Sequence, residues 1–295
     1  MSDKLIQQSI INVLVYFANF DYAPSFDEVY SFLAKKTSKK RCSEVLASMV
    51  EKKLIRNTKY LIPHTARYTL RGHGILVKKQ INRKVQTQNK FKKVNLFVRV
   101  LSFFPQIQLI GFSGSCAMHN ATKGDDVDFF IITERNRLWT GRIMSIFVSQ
   151  LLRIRRKRLQ KKVSDLVCLN MFFDRRELFI PKYKRNLYTA HEVMQMKPAF
   201  QNSEFKIHDP ERHRKAYAEF LHENKWVQEF FPNIKIPKTQ SKKSDNKGTL
   251  IGDLFELIFK KIQLYRINQH KTKEIITHTQ LWFFPEDFEK KLRNT

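Results

Sequence analysis

The chain has 295 residues, and 55 Lys+Arg against 27 Asp+Glu leave a net charge of +28, a field that draws RNA, DNA, nucleotides and acidic protein surfaces. An apolar share of 42% with 25 Phe excludes global disorder, and no apolar run is long enough to span a bilayer. The start Met1-Ser2-Asp3-Lys4 lacks the form of a signal peptide, and Cys42, Cys116 and Cys168 show no paired spacing, so a cytoplasmic chain with neither disulfide framework nor zinc site is expected.

Residues 1–72 read as a small helical unit. Ile6, Ile10, Val13, Leu14 and Phe17 recur at helical spacing. Ser25-Phe26-Asp27-Glu28 has the form of a capping box, with Ser25 as N-cap and Glu28 at N3. It opens a short helix ending near Leu33. A third helix fits Ser38–Lys52, with Val45, Leu46, Met49 and Val50 inward and Lys39, Lys40 and Arg41 at its start. Two short strands, Leu54–Asn57 and Arg67–Leu70, flank a turn around Thr58–Thr65. Three helices and a ribbon resemble a winged helix-turn-helix, in which the third helix would enter the major groove. A protein-contact role, with those cations solvated, fits equally.

Residues 73–104 read as a basic connecting helix with apolar positions at Val77, Ile81, Val85, Phe91, Val94, Phe97 and Val98, and an exposed middle at Gln86–Lys90. Ile107–Phe112 is a buried strand leading into Ser113-Gly114-Ser115, with helical spacing through about Thr122. Val127–Thr133 is a second strand, Leu138–Leu152 a helix, and Asp165–Phe173 a third strand. That alternation argues for an α/β layer. Residues 181–295 read as helical: Tyr188–Met196, Pro210–Phe231, and an amphipathic helix over Leu250–Asn268 whose Leu254, Leu257, Ile258, Ile262 and Leu264 pack a core. A Lys-rich loop spans 236–248. Trp139, Trp226 and Trp282 are expected as core anchors, and His119 and the pair His191-Glu192 as surface groups. The run Arg153–Arg158 suits either a phosphate grip or a solvated loop.

The chemistry concentrates in Gly111–Thr133. Gly114 lets backbone approach an anion closely, and Ser115 can cap the following helix or donate to a phosphate oxygen. Asp126 and Asp128 stand at the head of an apolar strand, where alternation puts both on one face while Val127 and Phe129 point into a core. Two adjacent carboxylates repel unless a cation neutralises them, and Mg²⁺ takes one or two carboxylates plus phosphate oxygens.

Gly-Ser, nine residues, then Asp-Asp-x-Asp on a strand resembles the motif of the DNA polymerase β-like nucleotidyltransferases, over about residues 105–175 of a core expected at 105–180. With the N-terminal unit and helical tail, including Leu281-Trp282-Phe283-Phe284-Pro285-Glu286-Asp287, the chain resembles uncharacterised prokaryotic nucleotidyltransferase-domain proteins that carry a winged helix. The resemblance implies an α/β (α+β) fold, a nucleotidyltransferase-type mixed sheet with flanking helices. It implies Gly114 and Ser115 on the phosphates of an NTP such as ATP, and Asp126 and Asp128 on Mg²⁺. A third carboxylate on a neighbouring strand would complete the catalytic set. Asp165 and Asn170 are both open for that position, and an Asn cannot serve as a base. The implied activity is transfer of a nucleoside monophosphate from an NTP to RNA, protein or a small molecule. The alternatives are a catalytically weak DNA-binding regulator acting through the winged helix and a basic RNA-binding module.

Overall fold

A computed structural model describes residues 2–58, 66–157, 160, 162–239, 249–269 and 274–283. The turn residues 59–65, Arg158, most of the Lys-rich loop and residues 284–287 of the tail motif lie outside that set. The N-terminal unit comprises α1 (Asp3–Ala18), α2 (Phe26–Ser31), α3 (Lys39–Glu51) and an antiparallel ribbon of β1 (Ile55–Asn57) and β2 (Tyr68–Leu70). The capping box closes as the sequence dictates. Glu28 N–H donates to Ser25 Oγ at 3.3 Å, and Ser25 N–H donates to the Glu28 carboxylate at 2.7 Å.

The long helix α4 (Ile75–Ser102) leads into β3 (Ile107–Phe112), the one-turn helix α5 (Gly114–Ala117), β4 (Val127–Thr133), α6 (Leu138–Leu151) and β5 (Val167–Asp174). Further on come α7 (Leu187–Gln195), β6 (Lys197–Pro198), α8 (Pro210–Glu223), α9 (Val227–Phe230), α10 (Leu250–Asn268), β7 (Ile275–Ile276) and β8 (Gln280–Trp282). Six strands form one mixed sheet in the order β6-β3-β4-β5-β8-β7. Within it β4 and β5 are parallel, joined through α6, and the other pairings are antiparallel. The tail is therefore not all helical, because β6, β7 and β8 extend the sheet on both sides.

Alternation along β4 splits the core into two layers. Val127, Phe129 and Ile131 pack with Phe97, Val98 and Leu101 of α4 and with Trp139 and Val148 of α6. Phe130 and Ile132 face the other way, towards Phe220 of α8, Val193 of α7 and the N-terminal unit. Each fully buried Phe contributes roughly 1.5–3 kcal/mol. Trp139, Trp226 and Trp282 are all buried in these layers.

Two helices present unexpected faces. In α4, Thr87 and Lys90 of the supposedly exposed middle are buried, while Ile81 and Val85 are exposed. The reason is polar: Thr87 Oγ accepts the Ala121 N–H, and Lys90 Nζ reaches the carbonyls of Lys123 and Asp125. In α10 the expected core residues Leu254, Leu257, Ile258 and Ile262 are exposed. Leu264 does pack against the core, beside Phe259 and Ile267, and the rest of the docking runs through polar side chains. Glu256 accepts the N–H groups of Trp139 and Thr140 at the start of α6, Asp253 pairs with Arg137, and Gln263 bonds Arg142 and the Trp139 carbonyl. Among the described residues no helix is long and apolar enough to cross a membrane.

Candidate active site

Asp128 continues the β4 face that carries Phe130 and Ile132, but it lies at the strand's head, where the apolar layer gives way to a cleft. The cleft holds about 580 Å³ and is lined by Ser113, Gly114, Ser115, Asp125, Asp126, Asp128, Arg156 and Asn170 on the sheet side. Ligand atoms of Asp126, Asp128 and Cys168 lie within 4.8 Å of one another. Burial and the neighbouring Asp126 raise the Asp128 carboxyl to about 7. Arg156 answers part of this charge by pairing with Asp126 at 2.5 Å.

The Ser113–Ser115 turn approaches closely because residue 114 is glycine. Its φ is +58°, and a Cβ there would stand 3.0 Å from Asp128 Oδ2. Helix α5 is only four residues long, so it supplies little of the dipole that a longer helix would offer an anion. The Ser115 hydroxyl is engaged internally, donating to Asp125 Oδ2 at 2.9 Å; the same carboxylate also takes the Thr122 N–H and hydroxyl. Asp125 thus organises the loop. The uncommitted hydroxyl is that of Ser113, a cleft-lining residue only 4% exposed whose Oγ has no hydrogen-bond partner.

The two candidates for a third acid part company. Asp165 does not join the pair, correcting that expectation. Its backbone has a φ of +64°, and its carboxylate is held by Lys90 at 2.9 Å and Lys93 at 2.5 Å, both on α4. These two cations keep it below the usual carboxylate range despite its partial burial. Asn170 does join the pair, donating from Nδ2 to Asp128 Oδ1 at 2.8 Å. A bulge brings it there: Phe129 pairs with Leu169 and Phe130 with Met171, leaving Asn170 as the extra residue of β5. Bulges commonly re-aim a side chain in this way.

An acid that sequence reasoning placed on the surface faces the interior instead. Glu192 of α7 lines the same cleft, and burial lifts its carboxyl to about 7. Its sequence neighbour is buried in the core: the His191 ring stacks on Tyr16 at 3.5 Å and on Phe32 at 4.5 Å. One turn of helix thus carries a core imidazole and a cleft carboxylate, and the dipeptide alone does not separate those roles. His119 is exposed, its ring edge-on to Phe91.

Part of the cleft wall is built by the N-terminal unit. Phe17, Asn19, Phe20, Asp21 and Tyr22 line the same cleft, together with Met118, Tyr188 and Gln195. Arg83 of α4 ties that wall down through Asp21 at 3.0 Å and Asn120 at 3.3 Å. Compared with known proteins, the chain matches no family model, no curated protein and no solved structure.

Proposed function

We propose that this cleft transfers a nucleoside monophosphate from an NTP to an acceptor hydroxyl, the acceptor oxygen bonding to the α-phosphorus as the bond to the β-phosphate breaks and pyrophosphate leaves, with Mg²⁺ as the metal. The observation that carries the reading is the juxtaposition of Asp126 and Asp128 with a glycine turn and the unpartnered Ser113 hydroxyl in one cleft. The donor set fits Mg²⁺. Two carboxylates would supply the hard oxygens that Mg²⁺ prefers, whereas one sulfur beside them falls short of a structural zinc set. Asp126 and Asp128 would hold the ion, which when bound neutralises triphosphate charge. Ser113 Oγ donates to a phosphate oxygen, and the Gly114 backbone lets that oxygen come close. Arg156 is placed to leave Asp126 for the triphosphate. Glu192 takes the proton from the acceptor hydroxyl, a role suited to a carboxyl poised near neutral pH.

Incubation with α-phosphate-labelled NTPs, Mg²⁺ and cell extract tests the reading. Label should pass to an acceptor with wild type and not with Asp126→Ala/Asp128→Ala; no variant-sensitive transfer with any NTP refutes it. Asn170 beside the metal pair favours a second reading, in which the cleft binds nucleotide without turnover and the protein acts as a DNA-binding regulator. Retained NTP·Mg²⁺ binding with no transfer to any acceptor would establish that one.

A further inference from the structure

A second, larger cavity lies in the N-terminal unit, away from the carboxylates. It holds about 830 Å³ and is framed by the end of α3, the ribbon and the start of α4. Four cations line it: Lys53 after α3, Arg56 on β1, Arg71 in the turn after β2 and Lys78 in the first turn of α4. No Asp or Glu is among its lining residues, and among the described residues none of the four cations is paired with a carboxylate. The helix adds to the same field. Its N-cap is Gly74, no side chain caps it, and its first turn holds no acid, although it runs for 28 residues. The Arg56 guanidinium lies close to that start, 3.5 Å from where a Gly74 Cβ would be. Val50, Ile55 and Ile75 give the cavity apolar walls.

The cations at the other end of α3 are differently disposed. Lys39 pairs with Asp27, and Arg41 pairs with Asp3 and Glu44. At 13 residues α3 separates the two groups by roughly 20 Å. A polyanion meeting Lys39 and Arg41 must first displace three carboxylates. At the cavity it displaces none.

We propose that this cavity grips the phosphodiester backbone of a nucleic acid. Four unneutralised cations set on separate elements around a concave space match several successive phosphates, and the space far exceeds one phosphate group. Two guanidinium groups suit bidentate contact with phosphate oxygens, and the apolar walls suit sugar faces. Concavity admits a strand and excludes a lipid surface. The proposal is independent of transfer chemistry in the other cleft.

The test is fluorescence anisotropy of labelled 20-mers, single-stranded RNA and duplex DNA, with the full-length protein across 50–300 mM KCl. All four replaced cations are exposed, so the variants should fold, and melting curves check this. Arg56→Gln/Arg71→Gln should weaken binding at least tenfold and flatten the slope of log K against log salt by about 1.4–1.8, from about 0.7–0.9 per lost phosphate contact. Lys39→Gln/Arg41→Gln should change affinity less than twofold. Equal losses from the two pairs, or none from the first, overturn the proposal. Competition by inorganic phosphate at equal phosphate concentration would reassign the cavity to free phosphate, and competition by poly-glutamate at equal charge would reassign it to an acidic protein. Either result also overturns it.

Discussion

Replacing Gly114 with alanine separates the backbone's role from the site's. At φ +58° an L residue sits in the left-handed basin, which costs about 1–2 kcal/mol. For a chain of this size that lowers Tm by a few degrees. The new methyl also meets Asp128 Oδ2 at 3.0 Å, tighter than ordinary contact, so the carboxylate must retreat by a few tenths of an ångström. Misplacing a reacting group by about 1 Å costs on the order of 10²-fold, so the expected loss of label transfer is about tenfold, with a higher Mg²⁺ concentration at half-maximal rate. Gly72→Ala is the control. Its φ of +91° is further from any basin favoured by L residues, yet nothing lies within 4 Å of its Cβ. That variant should lose at least as much stability while transfer, measured below both melting temperatures, stays at the wild-type rate. Wild-type transfer and Mg²⁺ dependence in Gly114→Ala would refute the reasoning, because the close approach to Asp128 would then have no catalytic consequence.

Other outcomes follow from the same geometry. Glu192→Gln should cut transfer about 10²-fold without lowering Tm, since burial already disfavours the charged form; retained turnover removes Glu192 as base. His213 gives a pH signature in stability. Burial, reinforced by Arg212, pushes its ring from the ordinary 6.5 down to about 4, and its Nδ1 accepts the Ile110 N–H at 3.3 Å. The unfolded ring takes its proton first as pH falls, so the stability is complete above about pH 6.5 and drains away towards pH 4, about 3 kcal/mol in all. Urea melts from pH 7 to 4 should show this slope in wild type and a flatter one in His213→Asn; parallel slopes would count against it. Lys90→Met removes the ammonium that serves the Lys123 and Asp125 carbonyls and Asp165 from a position only 1% exposed. The orphaned carbonyls should cost about 2–3 kcal/mol, read by chemical denaturation, and Asp165→Asn should cost less because Asp165 keeps some solvent contact.

How much of this was legible depends on which forces set each element. Strands β3 and β4 could be read to the residue, because Ile107–Phe112 and Val127–Thr133 are apolar runs bounded by turn residues. The carboxylate pair was legible for the same reason, since alternation alone puts Asp126 and Asp128 on one face. The third position was not. A bulge at Asn170 and a left-handed residue at Asp165 are single-residue departures from a regular strand, and periodicity carries no trace of them. Glu192 was hidden because the cleft it lines is assembled from separate segments, among them the end of α1, the Ser113–Ser115 turn and β5. Helix α10 has the right period but a rotated face: Leu264 packs inward as expected while Leu254, Leu257, Ile258 and Ile262 do not, because Asp253, Glu256 and Gln263 find partners on and beside α6 that only the assembled fold provides. The cations of α3 looked free in sequence, and the acids that neutralise Lys39 and Arg41 include Asp27 and Asp3, brought in by packing.

The wall that α1 and its following turn give the cleft bears on how this chain can change over evolution. Phe17, Asn19 and Phe20 belong to the N-terminal unit, yet they line the same cleft as Asp126 and Asp128, the space that the proposed transfer would use. The unit is therefore not an appendage that could be exchanged with the cleft left intact. A substitution at the end of α1 alters the room beside Asp126 and Asp128, so under the proposed reaction acceptor choice could drift through residues a hundred positions from the carboxylates while the carboxylates themselves stay as they are.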